Sequence, residues 1–140
     1  MSASLVGSEM CIRDRFGTAA ARLDDVLNWI PARLSGLLMC LAAALLPGCS
    51  GQRALRVFVR DRKKHSSPNS AHTEAACAGA LGVRLAGDAW YFGKKVSKPT
   101  IGDDLRPVER ADVARACRLM YATELLTLAV LLGGGSLLAA

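Results

Sequence analysis

The apolar run from Pro31 to Leu46 constrains the fold of this chain more than any other feature. Proline suits the first turn of a helix, where its missing N–H costs nothing, and a Pro-Gly pair ends the run. Its sixteen residues would measure about 24 Å, short of a bilayer core of about 30 Å. Trp29 and Arg33 can extend its reach at the membrane interface. Because the run is apolar on all sides, we favour a membrane helix over a buried helix of a globular core.

A shorter helix is predicted just before this run. Its predicted limits are Phe16 and Leu27, and its apolar side chains recur at helical spacing on one face. Asn28 follows directly and is a suitable N-cap for the apolar helix.

A second apolar block lies near the end of the chain. It predicts a helix from about Val108 to Leu132, ended by the three glycines 133–135. Its first half is basic and its second half apolar, as in a span entered from the cytoplasmic side. Glu124 lies in the apolar half and is expected to face protein, because a carboxylate facing lipid is costly.

The segment between the two blocks is polar and basic. The chain carries 18 Lys and Arg against 12 Asp and Glu, a net charge of +6. Six cations against one Asp open the segment: Arg53, Arg56, Arg60, Arg62, Lys63 and Lys64. This excess after an apolar helix predicts a cytoplasmic loop. We therefore expect an all-α fold: a helical integral membrane fragment with spans at about 31–46 and 116–132 and a polar cytoplasmic region, 51–115, that contains short helices.

Local patterns divide the polar region further. Residues 57–59 fit a short helix or a strand, residues 66–70 a turn, and Ala71–Leu85 a helix. Residues 87–102 look irregular. Small residues four apart in the helix fit either close helix packing or an ordinary Ala-rich helix.

The stretch from Arg60 to Glu74, RDRKKHSSPNSAHTE, is the most distinctive chemically. Cations, hydroxyls and an amide at a turn before a helix suit a phosphate or nucleotide, and Asp61 or Glu74 offers oxygen to Mg²⁺. A solvated patch that touches acidic lipid explains the cations equally well. We predict substrate or phosphate binding, without assigning a catalytic residue, for Arg60, Asp61, Lys64, Ser67, Asn69 and Glu74.

Other kinds of site find little support. The five cysteines are scattered and form no CxxC pair, and neither histidine has a Cys or carboxylate at ligand spacing, so we predict no protein-held metal. No Walker A, HExxH, GxSxG or GxGxxG motif is present. Nucleic acid is not expected as a partner, because the basic patch adjoins a membrane helix and lacks interleaved aromatics.

Residues 1–15 do not match the rest of the chain. They show neither a helical period nor strand alternation, and no apolar core of a signal peptide. They resemble translated sequencing adapter, so we predict a non-native leader, 1–15, followed by the natural domain, 16–140.

Several stretches together resemble the CbiB/CobD family, adenosylcobinamide-phosphate synthase. They occur in family order between Phe16 and about Leu132: RLDDVLNWIPARL at 22–34, RD at 60–61, HSSPNS at 65–70, EAACAGALGV at 74–83, YFG at 91–93, KPTIGD at 98–103 and RP at 106–107.

The resemblance implies a multi-pass enzyme of the plasma (inner) membrane in cobalamin biosynthesis. Such an enzyme joins aminopropanol or its phosphate to a carboxylate of cobyric acid, with ATP and Mg²⁺ supplied from the cytoplasm and no tightly bound cofactor. Its expected partners are the corrinoid substrate, aminopropanol phosphate, membrane lipid and the missing N-terminal half of the same protein. The family's chains are about twice as long, so we expect this chain alone to be inactive.

Two alternatives belong to other classes of protein. The first is a lipoprotein, because LPGC at 46–49 follows an apolar run, although Pro47 is atypical of a lipobox. The second is a non-enzymatic membrane protein built on small-residue packing, with a basic loop that binds lipid.

Overall fold

The computed structural model describes residues 15–65, 68–92 and 94–138, and it confirms the mainly helical fold. Within these ranges the chain forms five helices: α1 (Arg15–Leu27), α2 (Trp29–Leu45), α3 (Gly51–Asp61), α4 (Ala71–Leu81) and α5 (Arg110–Leu138). Four short strands lie between α4 and α5: β1 (Leu85–Ala86), β2 (Ala89–Tyr91), β3 (Lys94–Val96) and β4 (Thr100–Ile101).

The strands form two nested antiparallel ribbons. The outer ribbon pairs β1 with β4, Leu85 opposite Ile101, and the inner hairpin pairs β2 with β3, Trp90 opposite Lys95. The prediction that residues 87–102 are irregular is therefore wrong. Strands of two or three residues are too short to show an alternating pattern, so the sequence carries little sign of them.

The α1–α2 junction bends the chain by 41° at Asn28. Asn28 occupies the cap position, but its side chain makes no cap hydrogen bond, and its Nδ2 instead donates to Asp24 Oδ1 at 2.8 Å. Helix α2 has 17 residues, about 25 Å. It is long and apolar enough to cross a membrane only together with Ala20–Leu27 of α1. The predicted span 31–46 is thus part of a bent helix pair.

Helix α5 is the one described helix that is long and apolar enough by itself to cross a membrane, over Arg110–Gly134. The predicted stop at the three glycines is wrong, because the helix continues to Leu138. Glycine is tolerated in helices in apolar surroundings, where leaving the helix would strand backbone N–H and C=O groups without partners. Glu124 is exposed within the described part of the chain, so the expectation that it faces protein stays a prediction about the rest of the protein.

Helix α4 lies at the centre of the molecule. Its two sides carry two buried clusters, one with α2, α3 and α5 (Met39, Cys40, Ala42, Ala43, Ala54, Phe58, Ala76, Ala80 and Leu119) and one with α3 and β4 (Val57, Ala71, Ala75, Ala78 and Ile101). A Cβ added to Gly79 would lie 2.7 Å from the Arg53 carbonyl oxygen. The small residues of α4 therefore allow close packing of α4 on α3. This agrees with the first of the two interpretations given for small residues four apart, which was close helix packing.

The predicted end of α4 at Leu85 is four residues too late. Gly82 has φ +68 and caps the helix, with its N–H donating to the Ala78 carbonyl oxygen at 2.9 Å. A left-handed glycine after the last turn is the commonest way to end a helix.

Candidate functional site

An open polar pocket of about 430 Å³ lies where the α1–α2 junction meets the start of α4. Its walls come from two stretches far apart in the chain, and its lining residues are Asp24, Asn28, Pro31, Ala32, Ser35, Asn69, Ser70 and Thr73. The lining therefore offers a carboxylate, two amides and three hydroxyls on an otherwise apolar wall. Such a surface suits a ligand with amine, hydroxyl or amide groups.

Asn69 joins the two walls of this pocket. Its Nδ2 donates to the backbone carbonyl of Asp25 at 2.8 Å, across 44 residues of sequence. Behind it, His72 Nδ1 lies 3.2 Å from the Asn69 carbonyl oxygen, and the His72 ring packs edge-on against Phe58. His72 is buried, and desolvation lowers its pKa, which favours the neutral ring. His72 therefore supports the pocket wall from the core.

Asp61 lies on another side of the fold, with its carboxylate fully buried at the end of α3. Arg60 donates to both of its oxygens, at 2.7 and 2.8 Å, and Lys64 Nζ lies 2.8 Å from Oδ1. The backbone N–H of Gly102 donates to Oδ2 at 2.9 Å. The hydrogen bonds from Arg60, more than any other partner, hold the pKa of the Asp61 carboxyl far below its usual range.

The loop after β4 explains why a glycine stands at position 102. Gly102 has φ +88, and a Cβ there would lie 2.3 Å from the Val83 carbonyl oxygen. The loop also contributes Asp103, whose Oδ1 accepts from Arg60 Nη1 at 2.7 Å, and the Thr100 carbonyl, which accepts from Lys64 at 3.1 Å. The RD stretch and the KPTIGD stretch thus form one interlocked unit.

The predicted binding residues divide between two places. Arg60, Asp61 and Lys64 come together beside β4, and Asn69 lines the polar pocket. Glu74 is half-buried in the first turn of α4. Ser67 lies outside the described residues. The binding role of each stays a prediction.

The described part of the chain has no group of three or more His, Cys, Asp or Glu side chains that would hold a metal ion. All four contacts of Asp61 go to N–H donors, so its carboxylate serves the fold. Asp24 is the carboxylate that faces the polar pocket.

The sequence analysis did not assign Asp24, Asn28, Ser35, Ser70 or Thr73 to a site. One signal was present, because Asp24 and Asn28 are four apart directly before a helix-starting proline. Such residues share a helix face and can present two polar groups together.

The start of α5 is fixed by a second carboxylate cluster that sequence reasoning missed. Arg106 donates to both oxygens of Asp112, at 2.6 and 2.8 Å, and its Nε donates to the Leu81 carbonyl oxygen at 3.2 Å. The RP stretch at 106–107 therefore ties the end of α4 to α5.

Comparison with known proteins finds similarity over the part of the chain that contains the stretches described above. A family model described as CobD/Cbib protein matches residues 2–120, a range that begins inside the segment predicted to be foreign. The origin of that segment stays a prediction. No solved structure matches the chain.

Curated relatives carry the names cobalamin biosynthesis protein CobD or CbiB. The CobD protein of Geobacter metallireducens is 58% identical over 111 residues, which are 79% of this chain and 35% of the relative. The CobD protein of Klebsiella pneumoniae is 50% identical over 93% of this chain and 40% of the relative. The CbiB protein of Salmonella typhimurium is 49% identical over 92% of this chain and 40% of the relative. The chain therefore spans about two fifths of the length of these relatives.

Proposed function

The chain belongs to the CobD/Cbib protein family, and on that premise we propose that the protein of which it forms part acts in cobalamin biosynthesis. The proposed reaction joins the amine of aminopropanol, or of its phosphate, to a carboxylate of cobyric acid and gives an amide. The names of the relatives support the pathway, and the chemistry of the two sites supports the reaction.

The observation that carries this proposal is the polar pocket. The fold brings the RLDDVLNWIP stretch to one wall and Asn69 and Ser70 to the other, joined by the hydrogen bond from Asn69 to the Asp25 carbonyl oxygen. An aminoalcohol carries an ammonium or amine and a hydroxyl, and the edge of a corrinoid carries amides and carboxylates. In this proposal the Asp24 carboxylate accepts a hydrogen bond from the amine. The amide and hydroxyl groups of the pocket donate hydrogen bonds to carbonyl or carboxylate oxygens of the corrinoid.

Amide formation needs a neutral amine and an activated carboxylate. In the proposed site the ammonium first gives up one proton to solvent. Asp24 then holds the neutral amine near the reacting carbon and takes up a second proton as the C–N bond forms and phosphate leaves. A carboxylate oxygen does not leave unaided, and ATP supplies the phosphoryl group that makes it a leaving group. Glu74, in the first turn of α4, would hold the accompanying Mg²⁺.

The setting we propose is the plasma membrane, in a multi-pass protein whose basic loop lies in the cytoplasm. Helix α5 and the bent α1–α2 pair supply two apolar helical segments, and the Arg-rich α3 lies between them. The positive-inside rule puts α3 and the strands on the cytoplasmic side, where the substrates are made. The remaining helices would come from the missing N-terminal half, which completes the site.

A chimera tests the proposed function. Residues 16–140 replace the matching part of the Salmonella typhimurium relative, in a strain that lacks its own gene and whose growth depends on cobalamin. We expect the chimera to restore growth on cobyric acid, and Asn69→Ala to abolish it while membrane insertion stays normal. Arg56→Ala, an exposed cation on α3 outside both sites, serves as the matched control.

Cobinamide, the product side of the reaction, should restore growth in every strain, including the one without the gene. Failure of the chimera on cobyric acid, with normal insertion and normal growth on cobinamide, would refute the proposed function. The 140-residue chain by itself should not restore growth on cobyric acid.

A further inference from the structure

A second, smaller pocket of about 150 Å³ lies between the end of α3 and the outer ribbon. It is lined by Lys64, His65, Ala86, Lys98, Pro99 and Ile101, two of them ammonium groups and none a carboxylate. Asp61 balances part of the Lys64 charge from behind the wall, and the ammonium groups of Lys64 and Lys98 are the charged groups that face the pocket and can attract an anion.

Two contacts hold the Lys64 ammonium group in place and leave one of its N–H groups for a further hydrogen bond. Its Nζ lies 2.8 Å from Asp61 Oδ1 and donates to the Thr100 carbonyl at 3.1 Å. An ammonium group has three N–H donors, so these two contacts leave one for a ligand. The side chain is 37% exposed, so that donor is accessible from solvent.

Lys98 reaches the pocket from a fixed backbone. Asp88 accepts hydrogen bonds from the Ser97 hydroxyl at 2.9 Å and from the backbone N–H of Lys98, and it pairs with Lys95 at 2.7 Å. These contacts tie the segment after β3 to the segment before β2. Lys98 therefore presents an exposed ammonium from a segment whose backbone is fixed.

The pocket wall also contains a strained residue. Ala86 has φ +57, a left-handed conformation that costs a non-glycine residue about 1 kcal/mol. Strain of this kind persists where the surrounding structure enforces it and is common at ligand sites.

We propose that this pocket binds a phosphate group, either inorganic phosphate or the phosphate of a small monoester. A volume of about 150 Å³ equals roughly five water molecules of about 30 Å³ each, enough for a phosphate and too small for a corrin ring. His65 lines this pocket, and Asn69, four residues later in the sequence, lines the polar pocket. Binding of the phosphate group does not rest on the proposed function.

Direct binding to the 140-residue chain in detergent tests this proposal without any assay of amide formation. Inorganic phosphate, aminopropanol phosphate and aminopropanol are titrated separately and followed by calorimetry. Both phosphates should bind more tightly than aminopropanol, which lacks the phosphate group, and Lys98→Glu should leave any binding of aminopropanol unchanged. Lys98→Glu should weaken phosphate binding roughly tenfold or more, because it replaces an attractive charge with a repulsive one. Lys63→Glu reverses a neighbouring exposed cation outside the pocket and should change it less than about twofold.

Equal weakening by Lys98→Glu and Lys63→Glu would overturn the proposal, because it would show attraction to the basic surface in general. Absence of phosphate binding by a chain with normal helix content would overturn it as well. Cosedimentation with phosphatidic acid vesicles distinguishes the source of the phosphate. If Lys98→Glu weakens only vesicle binding, the pocket serves a lipid headgroup and the proposed site for a soluble phosphate is wrong. If phosphate binds as expected and the chimera forms no amide, the proposed function fails and the phosphate site stands.

Discussion

Asp61 shows how far a single residue can be interpreted from sequence. The RD stretch predicts a polar residue of importance, and the pattern correctly places Asp61 among cations. Sequence alone does not show that the carboxylate is fully buried or that Gly102, 41 residues away, donates to it. Those facts depend on the loop after β4, whose path is set by tertiary contacts. The same holds for Asp24, whose pocket exists only once α4 packs against the α1–α2 junction.

Replacing Asp61 with Asn should lower the free energy of unfolding by about 3 kcal/mol, because it leaves Arg60 and Lys64 without their buried partner. Asp104→Asn is the matched control, since Asp104 pairs with Arg84 at the surface and should cost less than about 1 kcal/mol. Denaturant unfolding in detergent measures both. Equal losses in the two variants would contradict the buried role of Asp61.

The neutral state of His72 should give the protein a pH-dependent stability. Its folded pKa is lowered by burial, so below about pH 6.5 the unfolded chain binds more protons than the folded chain. The free energy of unfolding should therefore fall as the pH drops from about 7 to about 5. The variant His72→Phe keeps an aromatic ring beside Phe58. In it, the His72 contribution to the fall of the free energy of unfolding with decreasing pH should disappear. An unchanged slope in that variant would show that His72 is not the group responsible.

At the scale of elements, the apolar runs predict the helices well and their ends poorly. Helices α1, α2, α4 and α5 are found close to where their patterns place them. The errors occur at glycines, because Gly82 ends α4 in a left-handed conformation while the three glycines of α5 stay helical. The same residue type ends a helix or continues it according to what surrounds it, and a single sequence does not show those surroundings.

Gly79 carries the contact of α4 with α3, and Gly79→Ala should lower the free energy of unfolding by about 2 kcal/mol. The added methyl would meet backbone atoms of Arg53 and Ala54 at 2.7 and 2.8 Å, and backbone does not yield as a side chain does. Gly133→Ala has open space around its new methyl and should stabilise α5 by roughly 0.5–1 kcal/mol. Thermal unfolding followed by circular dichroism measures both, and destabilisation by Gly133→Ala would contradict the helical account of α5.

At the scale of the whole molecule, the apolar surface of α5 makes a membrane setting the central structural expectation. Over Arg110–Gly134 only 11% of the most apolar window is buried within the chain. An arginine at the centre of a spanning helix costs about 2.5–3.5 kcal/mol of insertion free energy, so Leu125→Arg should release the chain from membranes in carbonate. Met120→Leu, on the same helix, should not. Extraction of the unmodified chain by carbonate would show that α5 does not span.

The measurement that tests the central claim most directly is amide formation by membranes that contain the chimera. They are supplied with cobyric acid, aminopropanol phosphate, ATP and Mg²⁺, and the corrinoid amide is quantified by mass spectrometry. The account predicts product with the chimera, at least about a hundredfold less with Asn69→Ala if Asn69 positions the reacting groups, and an unchanged yield with Arg56→Ala. Full product from Asn69→Ala, or none from an inserted and folded chimera, would contradict it.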